Sequence, residues 1–325
     1  MKLATVTHNI LFVFFLSLTL SALSSFLVSR YGYKISIVDL PNERSSHSTP
    51  TPRGGGIGIW IAYTLTGLFV FKNASVILVT SSIGLLGLLD DCFNLSIKLR
   101  LTTQIICATI AVYAYKQISL LSVEIIILLL FVFFIVGTAN FYNFMDGING
   151  IAGLAGLVAF GLISLFSYYI AHDFDITLMC ISLSSACLGF LPFNLPNARV
   201  FMGDVGSLLL GFVFALFVIK LSVSVNSFMC LVMFLCVFYA DAITTIFYRY
   251  KRGENLMQAH RKHLYQYLSN EFGFIHWQIA LLYAVIQLLF GLISLFSYTK
   301  GFLWQITVIF IFNLMFLSFY RSFIE

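Results

Sequence analysis

The sequence predicts an all-α polytopic membrane protein with about eleven transmembrane helices, and two observations carry that reading. The chain is 60% hydrophobic and only 10% charged, with a mean hydropathy of +0.98 over 325 residues. No soluble domain carries that composition without exposing large apolar patches. Apolar runs close to the ~20 residues that cross a hydrocarbon core recur near 9–29, 54–71, 74–89, 101–115, 119–139, 151–171, 175–192, 205–219, 226–246, 275–297 and 302–320.

The first run admits a second interpretation, a cleaved signal peptide, given Lys2 and the small residues at 21–25. It is long for such a segment, and Arg30 and Lys34 flank it as charges flank a retained span. Orientation follows from the basic residues, because cytoplasmic loops retain an excess of them. Alternate loops divide the 18 Lys and Arg into thirteen on one side (Arg30, Lys34, Arg44, Arg53, Lys98, Arg100, Arg199, Arg249, Lys251, Arg252, Arg261, Lys262, Arg321) and five on the other. The first side is expected to be cytoplasmic, with the N-terminus outside and the C-terminus inside. No linker or repeat divides residues 1–325, so one integral membrane domain is expected, with cytoplasmic loops near 30–53, 90–100, 140–150, 193–204 and 247–274. Five of the six cysteines fall in apolar runs and Cys92 in a cytoplasmic loop, which argues for packing residues and no disulfide framework. The 35 Phe read as lipid-facing and packing surface, and no nucleic-acid footprint is present.

Polar islands break this pattern, all on the expected cytoplasmic side. The loop DLPNERSSHSTPTPRGGG is kept out of helix by its prolines; Arg44, His47 and Arg53 supply donors, and the glycines that open the second span suit a phosphate, or else the loop is a solvated basic segment that sets topology. Asp90 and Asp91 end a helix where the dipole disfavours carboxylates. They call for a compensating cation: Lys98 and Arg100 at a solvated end are one reading, and a site where a metal or a reacting phosphate sits against the pair is the other. In NFYNFMDGING, Asn140, Asn143, Asp146 and Asn149 recur at intervals of three, so a helical turn would align neighbours; capping alone needs fewer polar groups. In FMGDVGS, Asp204 is either the N-cap of the eighth span or a carboxylate that holds a divalent cation against phosphate. The loop near 249–274 offers His260, Arg261 and His263 with Tyr265 and Gln266 for a polar ligand, against a basic patch on the membrane surface as the alternative. Asp241, an acid inside hydrocarbon, is expected to face the same site. His8, His172 and His276 lack partner motifs and read as structural.

Five ordered motifs, DLPNERSSHSTPTPRGGG, LLDDCFNLSIKLR, NFYNFMDGING, FMGDVGSLLLGF and AHRKHLYQYL, together resemble those of the polyprenyl-phosphate N-acetylhexosamine-1-phosphate transferases (glycosyltransferase family 4), most closely the branch that initiates O-antigen. The resemblance spans residues 39–266. It implies transfer of a sugar 1-phosphate from a UDP-N-acetylhexosamine to undecaprenyl phosphate, with release of UMP, at the bacterial inner membrane. It further implies Mg²⁺, with Mn²⁺ as a substitute, on Asp204 with Asn143 close by. Asp90, Asp91 and Asp146 are the implied catalytic acids, by direct attack or through a covalent intermediate. Arg44, His47, Arg53, Lys98, Asn140, Asn149, His260, Arg261 and His263 are the implied substrate contacts. The partners implied are the donor, the acceptor and membrane lipid; a homodimer is left open. Departures at His260, Tyr265, Gln266 and Asn149 bear on the choice of sugar. A secondary transporter with carboxylate ligands is the alternative, although such proteins bind near the midplane and show internal repeats.

Overall fold

A computed structural model describes residues 2–35, 38–41, 49–71, 74–116, 122–255 and 261–324. Arg44, His47 and His260 lie outside the described residues. The chain is almost entirely helical: α1 Lys2–Tyr31, α2 Ile57–Val70, α3 Ala74–Phe93, α4 Ile97–Lys116, α5 Ser122–Phe144, α6 Ile151–Phe166, α7 Phe174–Asn194, α8 Asp204–Leu221, α9 Val225–Val232, α10 Cys236–Lys251, α11 Leu264–Asn270, α12 His276–Ser297 and α13 Phe302–Ile324. One antiparallel ribbon, β1 Val38–Asp39 with β2 Thr51–Pro52, precedes α2.

Among the described residues, ten helical segments are long and apolar enough to cross a membrane, α9 and α10 forming one continuous span. The protein is an all-α polytopic membrane protein. The expected span at 54–71 is shorter than the sequence suggested. Its helix runs 14 residues, because Gly54–Gly56 belong to a turn.

Helix α8 lies at the centre, with every residue from Val205 to Ile219 buried. It packs against α3 and α5, and more lightly against α2, α4 and α6, while α7 joins α1, α2 and α6. Small residues allow the closest crossings, as between helices that gain no hydrophobic drive from lipid. A Cβ on Gly87 of α3 would collide with the Asp204 carbonyl, and one on Gly56 would meet Gly206 Cα at 2.5 Å. The ends of α3, α5 and α7 and the starts of α6, α8 and α12 therefore gather at one end of the bundle.

Candidate active site

That end holds a polar cavity of about 230 Å³ lined by Asp39, Arg53, Asp91, Asn143, Asp146, Gly147, Ile148, Asn149, Asn194, Phe201, Gly203, Asp204, Gln266 and His276. Four of the five widely separated sequence motifs contribute to it, and Gln266 brings in the fifth.

The two adjacent aspartates are compensated separately. Asp91 Oδ1 accepts the Asp204 N–H at 3.1 Å and Oδ2 the Val205 N–H at 3.2 Å. A carboxylate at the negative end of α3 is thus stabilised by the positive end of α8. Gly203 makes this approach possible: its φ of 76° is in the left-handed region, and a Cβ there would stand 2.5 Å from Asp91 Oδ2. Asp90 turns away from the cavity, is buried, pairs with Arg100 and accepts the Leu95 N–H at 2.7 Å. Arg100 also reaches Asp204 Oδ2 at 3.3 Å.

Asp204 is the first residue of α8 and not its cap; Gly203 holds that position. Its Oδ1 accepts the Asn143 amide at 2.9 Å, and the same amide donates to Ser207 Oγ at 2.9 Å. This fixes Asn143 with its nitrogen toward α8, leaving its carbonyl oxygen as the atom available to a cation. The intervals of three align only in part: α5 ends at Phe144, and residues 145–150 form a turn. Asn143, Asp146 and Asn149 line the cavity, whereas Asn140 donates to Gln104 Oε1 and the Val136 carbonyl, both at 2.7 Å, inside the α4–α5 interface. Among the described residues the Asp146 side chain makes no hydrogen bond or ion pair, and burial, joined by the Asp204 and Asp91 charges, pushes its carboxyl well above the usual range against the pull of Arg53.

Arg53 donates to Asp39 Oδ1 at 2.7 Å across the ribbon. Burial works against its charge, but Asp39, with Asp91 and Asp204, more than offsets this and holds the guanidinium above its usual value. Two of the glycines that follow it do not present free donors. Gly55 and Gly56 donate their N–H groups to the Phe201 and Met202 carbonyls, both at 2.8 Å, so their small size serves close docking of the two loops.

Other expectations meet a different arrangement. Lys98 and Arg261 are exposed and do not line the cavity. His263 is buried with Nδ1 3.3 Å from Asp241, and Tyr265 spends its hydroxyl on the Phe144 carbonyl at 2.9 Å. Asp241 does not face the cavity; it accepts the Leu264 N–H and the Tyr283 hydroxyl at 2.9 and 2.8 Å. His276, expected to be structural, lines the cavity with Nδ1 3.4 Å from the Asn149 N–H. Asp39 and Asn194 were not singled out from sequence. Asn194 accepts the Gly150 N–H at 2.5 Å and donates to the Val200 carbonyl, tying two cavity loops together.

Four aspartates face one arginine in this lining, an excess of negative charge that suits a cation more than an isolated anion. The donors are oxygens, the type hard divalent cations take. Among the described residues no group of three or more His, Cys, Asp or Glu is arranged to hold a metal by itself.

Fold and site together define a polytopic membrane protein with a carboxylate-rich cavity at the end of its helix bundle. Residues 73–222 match the family described as glycosyl transferase family 4. The chain is 29% identical to an undecaprenyl-phosphate alpha-N-acetylglucosaminyl 1-phosphate transferase of Thermotoga maritima over 57% of each chain. It is 28% identical to a decaprenyl-phosphate N-acetylglucosaminephosphotransferase of Mycobacterium tuberculosis over 58% of this chain and 54% of that one. A Bacillus subtilis protein named as a probable undecaprenyl-phosphate N-acetylglucosaminyl 1-phosphate transferase is 27% identical over 87% of this chain and 84% of its own length. The chain spans little more than half the length of the first two. The chain is thus similar, over nearly half its length by the family match and over 87% by the Bacillus subtilis one, to the polyprenyl-phosphate N-acetylhexosamine-1-phosphate transferases.

Proposed function

We propose that this protein transfers an N-acetylhexosamine 1-phosphate from a UDP-sugar to undecaprenyl phosphate, releasing UMP and initiating a lipid-linked O-antigen or related envelope polysaccharide. The observation that carries the reading is the cavity itself. It brings Asp91, Asn143, Asp146 and Asp204 together at the end of a bundle of membrane-crossing helices, where an acceptor confined to the bilayer and a soluble nucleotide donor can both arrive. The excess of basic residues at the same end supports a cytoplasmic orientation of that face in the bacterial inner membrane.

Phosphoryl transfer asks mainly for positioning and charge neutralisation. Asp204 and the Asn143 carbonyl oxygen would hold Mg²⁺, which when bound neutralises donor phosphate oxygens. Asp91 fixes the first turn of α8 and so the direction of the Asp204 carboxylate. Arg53, steered by Asp39, offers a planar fork to a phosphate. Asp146, the carboxylate without a partner among the described residues, is placed to take the proton of the acceptor phosphate. An acceptor oxygen then attacks the donor's β-phosphorus, a new P–O bond forms, and the bond to the bridging oxygen breaks with UMP as leaving group. The polar wall of Asn149, Gln266 and His276 supports contact with the sugar nucleotide.

The test is UMP release by purified protein given undecaprenyl phosphate, Mg²⁺ and a panel headed by UDP-N-acetylglucosamine, UDP-N-acetylfucosamine and UDP-N-acetylquinovosamine. Formation of lipid-linked sugar pyrophosphate with at least one donor is expected. No release with any donor overturns the reading and favours transport.

A further inference from the structure

We propose that Asp241, buried away from the cavity, is a positioning residue for the sugar-nucleotide wall: it clamps α11 onto the bundle and so places Gln266. The inference rests on the reading that the cavity takes the donor. Asp241 is 0% exposed, and a buried carboxylate persists only where donors surround it. Three elements supply them. Oδ1 accepts the Leu264 N–H at 2.9 Å and the Thr245 hydroxyl at 3.1 Å and lies 3.3 Å from His263 Nδ1; Oδ2 accepts the Tyr283 hydroxyl at 2.8 Å and the Tyr265 N–H at 3.4 Å. One side chain of α10 thereby holds the first two N–H groups of α11 and a hydroxyl of α12.

Two routes lead from this clamp to the cavity. Gln266 accepts the His263 N–H at 3.2 Å, which fixes its side chain against the start of α11, and it lines the cavity. Tyr265 donates to the Phe144 carbonyl, and Gly147 leaves no room for a Cβ beside that hydroxyl. A shift of α11 therefore moves Gln266 in the polar wall and the turn at 144–147. Asp91 and Asp204 are held by α3 and α8 and keep their own contacts. The expected signature is a defect in donor use that spares the acceptor.

The experiment uses the full chain in nanodiscs, comparing wild type with Asp241→Asn, Tyr283→Phe, Gln266→Ala and the Asp241→Asn/Gln266→Ala double variant. An amide at 241 turns a donor toward donors. Backbone hydrogen exchange over 261–270 in Asp241→Asn should rise about tenfold, the scale of a lost hydrogen bond to a charged acceptor, while exchange in α8 stays unchanged. Donor KM should rise by about the same factor with undecaprenyl phosphate KM unaltered, Gln266→Ala should reproduce the donor effect, and the double variant should be no worse than Asp241→Asn. Unchanged exchange, equal losses for both substrates, or multiplicative defects in the double variant would overturn the proposal. Should Asp241→Asn fail to accumulate in membranes, Tyr283→Phe removes one donor while leaving the carboxylate paired. It should raise exchange over 261–270 less steeply, and no rise would count against the clamp. If wild type turns over no donor, the proposed function falls, while the exchange comparison still decides the clamp.

Discussion

Asp91 accepts the backbone N–H of Asp204 at 3.1 Å, so one acidic residue fixes the helix end from which the other projects. A side-chain acceptor at a helix start contributes about 0.5–2 kcal/mol, enough to move the first turn of α8 without unfolding a helix that is buried from Val205 to Ile219. Asp91→Asn retains one acceptor oxygen but turns an amide toward the other N–H. Turnover should fall at least about tenfold, with a higher Mg²⁺ concentration needed for half-activity, because about 1.4 kcal/mol corresponds to that factor. Rates measured across a Mg²⁺ series in purified protein check this; wild-type values for both quantities would detach Asp91 from the site.

Asp90 should behave differently from its neighbour. Arg100 is shared between Asp90 and Asp204 Oδ2, and removing the Asp90 charge leaves the guanidinium to Asp204 alone. Asp90→Asn should therefore weaken Mg²⁺ more than it lowers the rate at saturating Mg²⁺. If Asp90 were the base, the rate would instead be lost at every Mg²⁺ concentration. A metal titration of both single variants separates the two outcomes.

Much of this was legible in the sequence, because the physics of a bilayer is one-dimensional. Apolar length marked the helices, and polar islands at their ends marked the site. What sequence could not show was direction. Asn140 and Asn143 are three residues apart in the same helix, yet Asn140 faces Gln104 while Asn143 faces Asp204. Asp241 is buried within a membrane-crossing helix, and apart from Thr245, one turn on in the same helix, its partners come from α11 with its N-cap and from α12, segments whose packing a linear reading cannot place. His276 had no motif around it; only the folding of α12 beside the 145–150 turn brings it to Asn149. The one retrievable signal was glycine. Gly87 and Gly203 stand where α3 and the start of α8 approach too closely for a Cβ, and Gly206 where α8 meets Gly56 of the first motif; Gly87→Ala should cost about 1–3 kcal/mol by overpacking.

Orientation has a built-in reporter. Cys92 is exposed at the cavity end, and the other five cysteines are buried. If that end faces the cytoplasm, a membrane-impermeant maleimide should label wild-type protein only after cells are permeabilised, and Cys92→Ser should abolish the signal. Labelling of intact cells at Cys92 would invert the topology.

The last prediction concerns Asp146, whose carboxyl is held well above the usual range by burial and by Asp204 and Asp91. A base acts as the carboxylate, so turnover should climb as pH rises through this raised value. A cation bound nearby favours the ionised form, so higher Mg²⁺ should move the limb to lower pH. Asp146→Asn should remove the limb as well as most of the rate. Stability supplies an independent check with the opposite sign. A carboxyl whose folded pKa is raised contributes stability that is fully present below its unfolded value and lost as pH rises through the folded one. Without Mg²⁺, Asp146→Asn, which cannot ionise, should therefore gain in Tm over wild type as pH rises, whatever its activity. A pH-rate limb that persists in Asp146→Asn would assign the base to another residue, and a Tm difference that does not change with pH would remove the burial argument for Asp146 itself.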